Sequence, residues 1–334
     1  MELIKPSAEI WEQGNTIEDI WKHIARCTRV CYQSTPKNDS ETDEEFVERV
    51  ILRPDSSTGE LNFDKIHGAM LEHGTVYLTL KTVCPDDEGY NLYEKYRYNK
   101  YSKAIVKQGF VCITTNLRVL YENNWLEDLD YVTSHTEYHF KRVTVSFTTN
   151  IGVTREFNRH RVNSIAEEST RYCNYAKPRQ ISNINNALGS STIVNDIMPI
   201  NSQIKIGLPA WLLDGDLARL NEFDNGDWLA AISQIAEFAY DDSGELKYDV
   251  DYYGAALYFC NICYNKLIER GWKPQQAREV LPLATKSQLI HTAFVDDWKH
   301  FFALRADSVS GIPHPNAKLV AEPLKQEFIK RGLL

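Results

Sequence analysis

A chain of 334 residues with 43% hydrophobic content can bury one large core or two ordinary ones. The 37 Lys and Arg against 46 Asp and Glu leave a net charge of −9. That excludes duplex DNA or RNA as the expected main partner, because a phosphate backbone needs a basic surface. No run of 18 apolar residues is present, and Met1–Gln13 has no apolar signal core. A cytoplasmic protein without a membrane segment is the expectation.

In chain order, Thr16 can cap a helix running to about Cys31, with Ile17, Ile20, Trp21, Ile24, Ala25 and Val30 as its apolar stripe. Asp43 to Leu52 reads as a second helix and Pro54 to Asn62 as loop. A short helix around Phe63 to Leu71 leads through Glu72-His73-Gly74-Thr75 into a strand, Val76 to Leu80. Asp86 to Lys103 is dense in charge and carries Tyr90, Tyr93, Tyr96, Tyr98 and Tyr101. Aromatics among Lys and Arg can stack on bases; an exposed insertion, spanning 81–139 and lying over a neighbouring subunit, is the preferred expectation. Phe110 to Thr114 reads as a strand, and Asn116 can cap a helix through Asn123.

Arg142 to Phe147 alternates Val143, Val145 and Phe147 with polar residues, as a strand does. Thr149 or Asn150 can then cap a helix ending near Asn163 and Ser164. On it Glu156 and Arg155 each share a face with Arg159, and the cations fall near the end where the dipole favours them. A loop with Ser164, Glu167, Ser169 and Arg171 follows. A solvated charged face is the ordinary explanation of such a run. Two details argue instead for an anion. His160 is crowded between Arg159 and Arg161, and the hydroxyls and Arg171 beyond add donors suited to phosphate.

Ala176 to Lys205 reads as a mobile loop. Helices are expected at Leu212–Arg219, Asp227–Tyr240 and Tyr252–Arg270, the last stopped by Gly271. Lys273-Pro274 turns the chain toward Gln276-Ala277-Arg278-Glu279-Val280-Leu281-Pro282, and a helix from Trp298 to Leu304 ends at Arg305. Seven cysteines, an odd number in a long chain, suit reduced thiols. Cys260-Asn-Ile-Cys263 lies in a helical pattern without further ligands at zinc spacing, so no metal is expected. No Gly-x-Gly-x-x-Gly follows a strand, which leaves a dinucleotide fold of the Rossmann kind unsupported.

Arg159-His160-Arg161, seven residues, then Ser169-Thr170-Arg171-Tyr172 resembles the signature of flavin-dependent thymidylate synthases. Glu72-His73 resembles that family's pair before a strand. Ala277-Arg278-x-x-Leu281-Pro282 resembles its phosphate-binding element, and Leu304-Arg305-Ala306-Asp307 its closing motif. The likeness covers roughly residues 15–80, 140–178 and 270–325. It implies an α+β fold over 1–334, a twisted, mostly antiparallel sheet flanked by helices, assembled as a homotetramer with active sites between subunits. It implies reductive methylation of dUMP to dTMP with methylenetetrahydrofolate, FAD and NADPH. By resemblance, Arg305 polarises the uracil. Glu156, Arg159, Glu167, Ser169, Thr170, Arg171 and Arg278 hold the nucleotide. His73, Thr75, Arg159, His160, Arg161, Glu167 and His300 line the flavin.

The chain also departs from that pattern. Glu156 stands where many members carry Gln, Ala166 where Asn is frequent, and His300 where Asn is frequent. The usual His-Ala-Gln run after Arg305 is replaced by Val309-Ser310-Gly311, with His314-Pro315 as a displaced counterpart. Two alternatives stand beside the enzyme: a non-catalytic nucleotide- or RNA-binding module, and a degenerate member that keeps the fold without activity.

Overall fold

The structure, a computed structural model, describes residues 2–55, 57–59, 61, 66–84, 87–175, 204–211, 249–309 and 311–334. The mobile loop expected from Ala176, up to residue 203, and the helices expected at Leu212–Arg219 and Asp227–Tyr240 lie outside the described residues. In chain order the strands are β1 Glu2–Ile4, β2 Ser7–Trp11, β3 Thr75–Lys81, β4 Lys103–Lys107, β5 Phe110–Asn116, β6 Arg142–Asn150, β7 Ser164–Glu167, β8 Lys205–Gly207 and β9 Lys286–Phe294. The helices are α1 Ile17–Tyr32, α2 Asp43–Val47, α3 Glu88–Arg97, α4 Leu117–Asn123, α5 Ile151–Phe157, α6 Asp249–Glu269, α7 Pro274–Ala277, α8 Val295–Arg305 and α9 Pro315–Lys330. The expected mixed α+β class, with mostly antiparallel strand pairing, is what these elements form.

The chain divides into two compact units. The smaller comprises Met1–Lys5, Asn150–Gly152 and Ser169–Lys286. In it β1 pairs in parallel with β8, and Ile204, Ile206, Leu257, Tyr264 and Ala277 form the core. Gly271, at φ +88°, reverses the chain after α6; its N–H and that of Trp272 return to the Ile268 and Leu267 carbonyls.

The larger unit comprises Pro6–Thr149, Val153–Glu168 and Ser287–Leu334. It holds a four-stranded sheet, β2-β6-β9-β7, and a three-stranded sheet, β3-β5-β4. Helix α1 starts on a reciprocal Thr16–Asp19 capping box and buries Ile20, Trp21, Ile24, Ala25 and Cys27. Gly74 is required where β3 begins, since a Cβ there would come within 2.5 Å of the Ile24 side chain. Helices α8 and α9 join β6 and β9 through Phe147, Phe157, Trp298, Phe301, Phe302 and Phe328, with Trp298 Nε1 donating to the Val143 carbonyl at 3.0 Å. The tyrosine-rich segment, expected as an exposed insertion, is partly core. Leu92 and Tyr96 are buried, and the Tyr96 hydroxyl donates to Asp128 at 2.6 Å. Only Tyr98 and Tyr101 of its five tyrosines are exposed.

Strand β6 is covered on both faces, so its polar alternation does not mark a solvated side. Val143, Val145 and Phe147 face the aromatic core, while Thr144 and Ser146 are also buried. The polar face is wired internally. His23 Nε2 meets the Thr144 hydroxyl at 3.0 Å, Thr144 meets Thr292 at 2.7 Å, and Thr292 meets His73 Nδ1 at 2.8 Å. Beside this chain the half-buried Arg142 guanidinium donates to the Glu72 carbonyl at 3.1 Å and to the Thr75 and Ser164 hydroxyls at 3.2 Å each. Burial, before any neighbouring charge, lowers its pKa to about 10.

The same burial holds His23 down to about 4 and His291 down to about 3 from an ordinary 6.5, and lowers His73 as well. The unfolded chain protonates these rings below about 6.5 while the folded one does not. Stability is therefore greatest above pH 6.5 and falls as pH drops from there toward 4. Chemical denaturation should show a loss on the order of 2 kcal/mol for each of His23 and His291 between pH 7 and pH 5; a flat profile over that range would contradict the buried neutral layer.

Candidate functional site

The signature stretch is local in sequence and irregular in structure. Helix α5 stops at Phe157, several residues before the expected end at Asn163. Asn158 N–H still reaches the Thr154 carbonyl at 2.8 Å, but His160 N–H bonds Phe157 at 3.0 Å and Arg161 N–H bonds Arg159 at 3.0 Å. The chain tightens into turns because two side chains are drawn inward. His160 is 5% exposed, with its ring 4.9 Å from that of Phe301. Asn163 is buried, and its Nδ2 lies 3.1 Å from His291 Nδ1. Residues Ser164–Glu167, expected as loop, then form β7 and pair antiparallel with β9. Arg155, Arg159 and Arg161 are left exposed, and among the described residues no carboxylate lies within ion-pair distance of them. In a chain with nine more acids than bases, three adjacent uncompensated guanidinia favour an anionic ligand.

Arg305, the last residue of α8, meets this turn. Its Nε donates to His160 Nε2 at 3.1 Å, its Nη1 to Glu156 Oε2 at 2.9 Å, and its Nη2 to the Glu156 carbonyl at 2.7 Å. Two motifs 145 residues apart are joined by the Arg305–His160 bond. His160 can accept only while neutral. Burial first, then the charges of Arg305 and His300, hold its pKa near 4. His300 is exposed on α8, its ring 5.9 Å from His160. Glu167 is half-buried; it accepts from Asn158 Nδ2 and the Ser287 hydroxyl, both at 3.0 Å.

His73 is fully buried and bonded to Thr292, and Thr75 is buried with its backbone held by the Gln13 amide at 2.7 and 2.9 Å. His73, at the end of a 3-10 turn over Gly68–His73, and Thr75, the first residue of β3, both turn their side chains into the polar layer beside Arg142 and Thr292. Glu156, expected on the nucleotide, accepts from Arg305 through its carboxylate and its backbone carbonyl. His314, in the displaced counterpart of the His-Ala-Gln run, is exposed and caps α9, its ring accepting from the Asn316 N–H at 3.3 Å.

The smaller unit carries the remaining predicted residues. Arg278, following α7, donates to the Thr170 hydroxyl at 3.2 Å, with Glu279 3.8 Å from its Nε. The Ser169 hydroxyl accepts from the Arg171 N–H at 3.3 Å, and the Ser169 carbonyl from the Cys173 N–H at 2.9 Å, closing a tight turn. Arg171 is exposed. Among the described residues Ser169 has no histidine as a hydrogen-bond partner.

Sequence reasoning missed Arg142, Asn158, Asn163 and Ser287. Arg142 opens an alternating strand and so reads as solvent-facing; Asn163 and Ser287 are single polar residues whose partners lie more than a hundred residues away, and Asn158 meets Glu167 only because the chain turns between them. Among the described residues no group of His, Cys, Asp and Glu could hold a metal ion, and no helix is long and apolar enough to cross a membrane.

Reversing one exposed charge separates binding from folding. Arg161→Glu should change unfolding free energy by no more than about 0.5 kcal/mol in chemical denaturation. It should weaken calorimetric binding of inorganic pyrophosphate by about tenfold. Unchanged pyrophosphate binding would contradict an anion-binding role for this turn.

Comparison with known proteins adds the family. The family described as thymidylate synthase complementing protein matches residues 121–330. A comparison with curated protein sequences gives no match. Among solved structures, the UMP/dUMP methylase PolB from Streptomyces cacaoi bound with 5-Br UMP aligns at 15% identity and a TM-score of 0.38, over 99% of this chain and 92% of that one. The same enzyme bound with 5-Br dUMP aligns at 16% identity and a TM-score of 0.38, over 99% and 93%. With the signature turn, the Arg278 element and the Arg305 motif all present, the chain belongs to the thymidylate synthase complementing protein family, the flavin-dependent thymidylate synthases.

Proposed function

We propose that the chain converts dUMP to dTMP, with methylenetetrahydrofolate as carbon donor and FAD and NADPH as the source of reducing equivalents. The observation that carries this is the meeting of Arg305 with His160, in the turn that also carries the exposed Arg159 and Arg161, which have no carboxylate partner among the described residues. Carbon 5 of a uracil becomes nucleophilic when the ring imide is ionised. A fixed guanidinium beside an acid lowers its pKa by roughly 1–3 units, and Arg305 is such a group. Buried on most sides, with its side chain 12% exposed, it acts where little water screens it.

Arg159, Arg171 and Arg278, with Ser169 and Thr170, are assigned to the nucleotide and its phosphate, and Glu167 to the ligand edge beside Asn158. Arg159, Arg161 and His300 are exposed and of a chemistry that suits a flavin bearing a pyrophosphate, so they fit FAD; the inward-turned His73 and Thr75 do not. Bound FAD would supply the hydride that completes the methyl group. The protein's own share is placement and electrostatics. Assembly as a homotetramer in the cytoplasm completes the proposal. Val162 at 70% and Ile312 at 95% exposure are apolar side chains that a subunit contact would cover.

Purified protein should be yellow, or take up added FAD with a flavin absorption spectrum. It should oxidise NADPH only when dUMP is present and form dTMP when methylenetetrahydrofolate is supplied. A colourless protein that ignores FAD and leaves dUMP unchanged would overturn the assignment.

A further inference from the structure

Arginine has five N–H donors, and Arg305 commits three of them within its own unit. Two go to one residue. Glu156 takes Nη1 on its carboxylate and Nη2 on its backbone carbonyl. That carbonyl lies in the last turn of α5, where the helix itself leaves it without a donor. The third donor goes to His160. The guanidinium plane is thus fixed on three sides, and among the described residues one N–H on each terminal nitrogen is left over. Two neighbouring donors match the paired acceptors of an ionised imide edge, ring nitrogen and carbonyl oxygen.

We infer that Glu156 is a positioning residue for Arg305, fixing its plane and damping its charge, and is not a contact to the nucleotide. The inference rests on the proposed methylation of dUMP. A carboxylate turned toward a dianionic nucleotide would repel it, whereas one turned onto Arg305 is compensated. The charge makes Glu differ here from a neutral amide. Glutamine could accept the same hydrogen bond, but it would leave Arg305 more strongly cationic and the bound imide more acidic. The titratable groups facing the clasp are His160 on the turn, Arg305 and His300 on α8, and His291 on β9.

Two readouts on the full chain test this. Without any ligand, NMR of ring-labelled histidines, with His160 assigned through H160Q, should find His160 neutral down to about pH 4. Releasing Arg305 with Glu156→Ala should move that midpoint up by about one unit or more; an unmoved midpoint overturns the inference. In steady-state turnover, Glu156→Ala should lower kcat by about 30-fold while the calorimetric Kd for dUMP stays within about threefold. Glu156→Gln should keep kcat within about threefold and shift the acid limb of its pH profile down by about one unit. Should Glu156→Ala not fold, Glu156→Asp decides, since it keeps the charge and should still lose kcat with dUMP affinity kept. If these variants instead raise the dUMP Kd by about tenfold and leave kcat unchanged, Glu156 is a nucleotide contact and the inference fails. A wild-type protein that does not methylate dUMP would overturn the proposed function alone, because the histidine titration decides the positioning role independently.

Discussion

The structure depends on a guanidinium that is gripped before any ligand arrives. Arg305 is held by a carboxylate, a helix-end carbonyl and a neutral imidazole. Each of the three has a structural condition. The carboxylate and carbonyl require α5 to end at Phe157, so that Glu156 stands in its last turn. The imidazole requires His160 to be buried enough to stay unprotonated. The aromatic layer of Phe147, Phe157, Trp298 and Phe301 meets both conditions, because it closes α5 and α8 around the His160 ring.

A second layer supports the first from the other face of β6. The chain of contacts from His23 through Thr144 and Thr292 to His73, with Arg142 alongside, fixes the register in which β7 and β9 pair. Polar groups buried in this way stabilise only when their partners are in place, and a slipped strand would leave several unpaired. The arginines beyond β6 therefore project from a turn with little freedom to collapse onto the many carboxylates of the chain. Preorganisation of that kind lets a binding group remain uncompensated until its ligand is present.

Much of this was legible in the residues. The caps at Thr16 and Asn116, the strand at Val76–Leu80, the stop at Gly271 and the end of α8 at Arg305 all follow from local rules, and all are where those rules put them. The misreadings share a cause. The helix through Asn163 and the loop at Ser164–Glu167 follow from local propensity, and tertiary contacts override it: His160 onto Phe301 and Asn163 onto His291. For the site, Arg159, His160, Arg161 and Arg305 were named from motifs alone. The partner of Arg305 was not, since nothing local says that a glutamate 149 residues away will face it.

The central claim is that Arg305 activates the uracil. Release of tritium from dUMP labelled at carbon 5 measures it most directly, because that hydrogen must leave when the carbon is methylated. The wild-type protein, supplied with FAD, NADPH and methylenetetrahydrofolate, should release tritium in step with dTMP formation. Arg305→Ala should keep its flavin spectrum and lose release by about a hundredfold or more. Release from that variant at the wild-type rate would contradict the account.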